Sequence, residues 1–174
     1  MFAQEEAKKG EEKYSYIGVD MCKICHRKPD QGEQFKIWEN SKHSKAYETL
    51  KTEQAVKVAK EQGIEAAPHE APECLKCHVT AFGVDESRLG SRFDKAAGVQ
   101  CETCHGPGSE YKSRSIMQDR EKAIANGMRA IAAGDGTAKE LCVSCHNEES
   151  PTFKGFDFEE MWPKIAHPVP AEEG

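Results

Sequence analysis

A mostly α fold, short helices joined by much irregular chain, is what this 174-residue sequence predicts. Three observations carry that expectation. Runs of β-branched residues are scarce, so strands have little to build on. Helix-opening pairs, an oxygen-bearing side chain followed three residues later by glutamate, stand at Thr137/Glu140 and Asp157/Glu160. All eight cysteines fall into four copies of one unit, Cys-x-x-Cys-His: Cys22-Lys-Ile-Cys25-His26, Cys74-Leu-Lys-Cys77-His78, Cys101-Glu-Thr-Cys104-His105 and Cys142-Val-Ser-Cys145-His146.

Two thiols at that spacing can add to the two vinyl groups on one edge of a haem, and the histidine that follows swings beneath the ring to ligate its iron. Zinc knuckles also use Cys-x-x-Cys pairs, but zinc has no need of a histidine directly after each second cysteine. Four of the seven histidines in the chain stand there, and that pattern selects haem. The expected cofactors are four c-type haems with their iron. The expected fold is a multihaem cytochrome c fold, its short helices and loops wrapped around four covalently attached haems. No cysteine is left over for a disulfide, so the haems themselves are the crosslinks.

Along the chain, residues 1–18 are polar and expected to be a flexible segment, 19–168 the tetrahaem domain, and 169–174 a C-terminal tail. After the first unit a helix is expected from Ser41 to Gln62, with Gly63 as its C-terminal cap. Pro68 and Pro72 force a loop before the second unit. Residues 82–100 carry glycines and charges without clear periodicity. Gly106-Pro107-Gly108 turns the chain after the third unit, and a helix is expected from Glu110 toward Asn126. Thr137 with Glu140 opens the helix that carries the fourth unit. Asp157 with Glu160 opens the last helical piece, which Pro163 kinks or restarts. Successive first cysteines lie 52, 27 and 41 residues apart, so this is no fixed-period repeat array.

Composition narrows the setting. Covalent haem attachment takes place after export, on the side of the membrane where free thiols would oxidise, which points to the periplasm or cell surface. No run of 18 apolar residues is present to span a membrane. No signal peptide is visible, since Met1-Phe2-Ala3 leads straight into a charged stretch; the expectation is a mature or trimmed form. The formal charge of −6 argues against nucleic acid and favours redox partners with basic docking patches.

Four irons need four proximal ligands, which His26, His78, His105 and His146 supply. Low-spin electron-transfer haems take a second axial ligand, usually histidine or methionine. Three histidines remain, His43, His69 and His167, so one iron must differ from its neighbours. His43, Ala46, Tyr47 and Leu50 fall at i, i+3, i+4 and i+7, which puts the imidazole on an apolar stripe. His167 closes the last helical piece, and His69 lies five residues before Cys74, close enough to turn round a ring edge. For the fourth iron the candidates are Met117, twelve residues after His105, or an open or water-bound position. Met1 is terminal and Met21 abuts Cys22; Met128 and Met161 read as core filler.

These stretches resemble the tetrahaem cytochrome c-554 family, best known as electron acceptors in ammonia-oxidising bacteria. The resemblance runs from Cys22 to His167. It rests on the first unit followed by Trp38-Glu-Asn-Ser41-Lys-His43-Ser-Lys-Ala46, and on Cys74-Leu-Lys-Cys77-His78-Val-Thr-Ala-Phe82-Gly83. Gly98-Val-Gln-Cys101-Glu-Thr-Cys104-His105-Gly106-Pro107-Gly108 is its most specific string, and Phe158-Glu-Glu-Met161 leading to His167 its last. The resemblance implies haems stacked in pairs along a bent chain. It implies that His43 serves the haem on Cys142 and Cys145, that His167 serves the haem on Cys101 and Cys104, and that the second haem is five-coordinate. Two departures stand out. Where the family has a distal histidine for the first haem, shortly after the glycine–proline turn, this chain has Met117 nearby instead; and His69 is without a counterpart.

A globule of this length has a radius of gyration near roughly 16 Å, so four tethered haems are close neighbours. The leading expectation is a periplasmic electron carrier between redox proteins. Alternatives are a haem enzyme acting on a small nitrogen or sulfur species at an open site, and a subunit of an extracellular cytochrome filament.

Overall fold

The computed structural model describes residues 13–167 together with 169 and 170, and nearly all its regular structure is short helix. In chain order these are α1 Val19–His26, α2 Gln34–Glu39, α3 Ala46–Thr49, α4 Glu53–Glu61 and α5 Pro72–His78. They continue as α6 Cys101–His105, α7 Arg114–Met117, α8 Arg120–Ala125, α9 Thr137–Val143 and α10 Phe158–Met161. Single 3-10 turns fill several joints, among them Pro29–Gln31, His43–Lys45 and Trp162–Lys164. The strand-like pairing among the described residues is an isolated parallel bridge between Tyr16 and Leu89.

The expected helix over residues 41–62 is broken, and the break has a tertiary cause. The His43 carbonyl accepts the Val99 N–H at 3.0 Å. The Ala46 carbonyl accepts Nδ1 of His78 at 2.7 Å. With both carbonyls committed outside the segment, the chain makes a 3-10 turn, then the short α3. It restarts only at Thr52, whose hydroxyl accepts the Ala55 N–H and caps α4. Gly63, at φ +71, closes α4 as expected. Gly98, at φ +74, lets His43 approach: a Cβ there would lie 2.7 Å from the His43 oxygen.

Three further expectations change in detail. Pro72 does not lengthen the loop before the second unit but opens α5 at its first turn, where its missing N–H costs nothing. The single helix expected over 110–126 is two, because the Asp119 carboxylate accepts the Lys122 N–H and starts α8 afresh. At α9 the Thr137/Glu140 box does not form: Asp135 accepts both the N–H and the hydroxyl of Thr137, while Thr137 Oγ1 accepts from Ala132 N. Asp157 caps α10 through the Glu160 N–H, and Pro163 restarts the chain as a 3-10 turn, both as read from the sequence.

Residues 13–18 were grouped with a flexible segment, yet Tyr14, Tyr16 and Ile17 are buried. Residues 1–12 lie outside the described residues. What fastens this strip is Glu102, buried inside the third Cys-x-x-Cys-His unit. Its carboxylate accepts the N–H groups of Ile17 at 2.9 Å, Gly18 at 2.8 Å and Gly108 at 2.7 Å. Gln100 beside it accepts the Val19 N–H and donates to the Asp94 carbonyl. The most deeply buried large side chains are thus Gln100, Glu102, Thr80 and Pro107, a polar knot around one motif rather than an oily centre. Each polar atom is satisfied, which lets such a knot specify position without an unpaired-group penalty.

Candidate haem-iron centres

Three of the four Cys-x-x-Cys-His units end their helices, in α1, α5 and α6; the fourth begins on α9 and closes through the His146 N–H to the Cys142 carbonyl at 3.0 Å. On a helix, residues three and four apart share a face, so both sulfurs and the imidazole of a unit point the same way. This is the geometry a tethered haem needs: one edge held by two thioethers, its iron over the histidine.

Two of the proximal imidazoles are pinned at Nδ1. His26 Nδ1 meets Gln34 Oε1 at 3.2 Å, and His78 Nδ1 meets the Ala46 carbonyl at 2.7 Å. Both acceptors are oxygens, which places the proton on Nδ1 and leaves the Nε2 lone pair for a metal. His105 and His146 are held differently. Burial, assisted by the neighbouring His167 and His26, pushes the His105 imidazole down to about 4. Burial also lowers His146, whose ring lies against Phe156 at 4.8 Å and only 10° from parallel. A neutral imidazole is the ligating form, so both environments favour metal binding at neutral pH.

The structure brings two of the spare histidines to proximal ones. His43 faces His146 with ring centroids 6.1 Å apart, and His167 faces His105 at 5.7 Å. Two imidazoles sharing one metal, each nitrogen about 2.0–2.1 Å from it, have centroids roughly 6 Å apart. The residues therefore fit an iron between each pair. Burial and the nearness of His146 keep His43 below its ordinary value, which again favours the neutral ligand. Nδ1 of His167 meets the Ile165 carbonyl at 2.7 Å, aiming its other nitrogen inward. Among the described residues no three His, Cys, Asp or Glu side chains converge as a zinc knuckle requires.

His69 is placed elsewhere. It lines a cavity of about 330 Å³ with Leu50, Val56, Ala59, Ile64 and Pro68, and its Nε2 is 4.0 Å from Glu70. Met117 ends α7, half-buried.

The sulfurs of different units also touch. Cys22 lies within hydrogen-bond reach of Cys101, a contact that raises the Cys22 thiol and lowers that of Cys101. Burial and Cys145 push Cys77 up to about 11. Burial and the nearby Cys142 push Cys104 to about 11 as well. Lys76 in the second unit pairs with Glu149, just past the fourth, at 2.5 Å. The first unit thus meets the third, and the second meets the fourth.

Sequence reasoning missed Glu102, Gln100 and Gln34. For the first two a signal existed, since they occupy the specific Gly-Val-x-Cys-Glu-x-Cys-His string. For Gln34 there was none.

Short helices bearing Cys-x-x-Cys-His, with imidazoles paired at the spacing of one iron, define a multihaem c-type cytochrome. The comparisons name the group within that class. A family model described as cytochrome c554 and c-prime matches residues 21–106. Cytochrome c-554 of Nitrosomonas europaea (strain ATCC 19718) is 30% identical over 149 residues, covering 80% of this chain and 61% of that protein. Multiheme cytochrome MtrA of Shewanella baltica (strain OS185) is 27% identical over 89 residues, covering 48% of this chain and 25% of that protein. This chain is similar to the cytochrome c-554 family over most of its length. It spans 61% of the length of the first of these relatives and 25% of the second. No solved structure matches it. Among the described residues no helix is long and apolar enough to cross a membrane.

Proposed function

We propose that this chain carries four c-type haems and passes electrons between redox proteins in the periplasm or at the cell surface. When bound, c-type haems exchange single electrons between ferric and ferrous iron. The chain's own residues tether them through the eight cysteines, ligate them through His26, His78, His105 and His146, and complete two of them with His43 and His167. His69 and Met117 remain candidates for the other two. The observation that supports this best is the pair of histidine couples, His43/His146 and His105/His167, each at the separation one iron imposes. The sulfur contacts of the first unit with the third and of the second with the fourth add two neighbouring haem pairs, within which electrons would pass. Partners are donor and acceptor redox proteins; the formal charge of −6 favours basic docking patches on them.

Electron paramagnetic resonance of the oxidised protein tests the ligand set. Two low-spin bis-histidine signals are expected, together with two haems of other character. Four high-spin irons would overturn it.

A second reading, a haem enzyme, draws on the position of His69. With that side chain lining a separate cavity with Leu50, Val56 and Ile64, the second haem's distal face would stay open to a small molecule. Ready binding of nitric oxide or cyanide by the resting protein would favour it; no spectral change on adding either would exclude it.

A further inference from the structure

We propose that Gln34 tunes the first haem, holding its potential below that of an otherwise identical haem whose proximal imidazole lacks this acceptor. The proposal rests on the reading of His26 as proximal ligand of the haem on Cys22 and Cys25. The chain reverses directly after His26: the Lys28 carbonyl accepts both Gln31 N–H and Glu33 N–H at 3.1 Å. Gly32 at φ 92 and Glu33 at φ 49 then turn it into α2. A non-glycine residue in the left-handed region is uncommon, and here it delivers Gln34 to the first position of the helix, beside the motif it has just left.

Oε1 of Gln34 is the atom turned to His26 Nδ1, 3.2 Å away, and Nε2 lies on the side of the Gln31 carbonyl. Oε1 can only accept. The bond therefore requires Nδ1–H, and it draws that proton toward oxygen, leaving the ring a stronger donor at Nε2. A stronger imidazole donor stabilises ferric over ferrous iron and lowers the potential. The four proximal histidines differ in this respect. His78 bonds a backbone carbonyl, which substitution does not remove. His146 rests on Phe156. Gln34 is a side-chain acceptor, and so an adjustable one. It acts through His26 and is a positioning residue.

The test compares full-length, haem-loaded protein with its Gln34→Leu and Gln34→Glu variants by spectroelectrochemical titration and electron paramagnetic resonance. Gln34→Leu should raise one of the midpoint potentials and leave the others in place. Gln34→Glu, a stronger acceptor of the same shape, should lower that same potential. Unchanged potentials in both, or shifts of the same sign in both, would overturn the proposal, the second outcome marking a packing role. The mass of each denatured sample separates this from failure of the underlying reading. Without covalent haem on Cys22 and Cys25 the assignment of His26 falls, and the proposal with it.

Discussion

His43 lies opposite His146 with ring centroids 6.1 Å apart, although the two are separated by most of the chain. One comes from a 3-10 turn whose carbonyl is held by Val99, the other from the end of a Cys-x-x-Cys-His unit. Their meeting follows from long-range bonds: Val99 N to His43 O, and Trp38 Nε1 to Val99 O at 2.7 Å. Together they moor this segment to the strand of chain that enters the third unit.

Replacing His43 with alanine should convert one low-spin haem to high-spin while the covalent haem content is unchanged. Absorption and electron paramagnetic resonance spectra check this. His69→Ala, in the cavity away from these pairs, should leave that haem's spectrum as it was.

Glu102→Gln should destabilise the fold by about 1–3 kcal/mol, because whichever way the new amide turns, its NH₂ meets a backbone N–H. The groups now satisfied are those of Ile17, Gly18 and Gly108. Denaturant unfolding of the holoprotein measures the loss, and an unchanged midpoint would show that the knot contributes nothing.

Acid should act through His105. Its imidazole is held at about 4 in the folded protein against an ordinary 6.5. Between those values the unfolded chain binds a proton that the folded one does not. The contribution is therefore a penalty that grows as pH falls from 6.5 toward 4, reaching on the order of 3 kcal/mol. Circular dichroism of the haem-free chain, followed from pH 7 to pH 3, should change late in that range, near 4, because in the haem-loaded protein iron and not a proton takes the ligating nitrogen of His105. A transition of that chain centred at 6.5 would contradict the burial of His105.

Met117→Ala separates methionine ligation from an open iron. With methionine as a ligand, which favours ferrous iron, the highest of the potentials should disappear and a high-spin signal should replace it. Unchanged spectra and potentials would remove Met117 from the ligand set.

The four Cys-x-x-Cys-His units and the cytochrome class were fully legible, because cysteine spacing is a local property. The partners of His43 and His167 were not legible from spacing. They came from the resemblance, and the ring geometry agrees with them. The helix boundaries failed where tertiary bonds took the backbone: periodicity makes 41–62 one helix, and nothing local reveals that Val99 and His78 will claim the carbonyls of His43 and Ala46. Within residues 13–18, Tyr14, Tyr16 and Ile17 pack, and the charged residues that dominate the sequence before them hid that signal. The charge of Glu102 hid its burial for a similar reason. A carboxylate is usually exposed, and only three convergent N–H groups, from both sides of the third unit, make its interior position tenable.

The mass of the denatured protein tests the central claim most directly. Thioether bonds survive unfolding and axial bonds do not, so covalent haem count is read without interference from the ligand set. The account predicts the polypeptide plus four haems, with all eight cysteines consumed. A mass equal to the bare polypeptide, with thiols free to react, would contradict it.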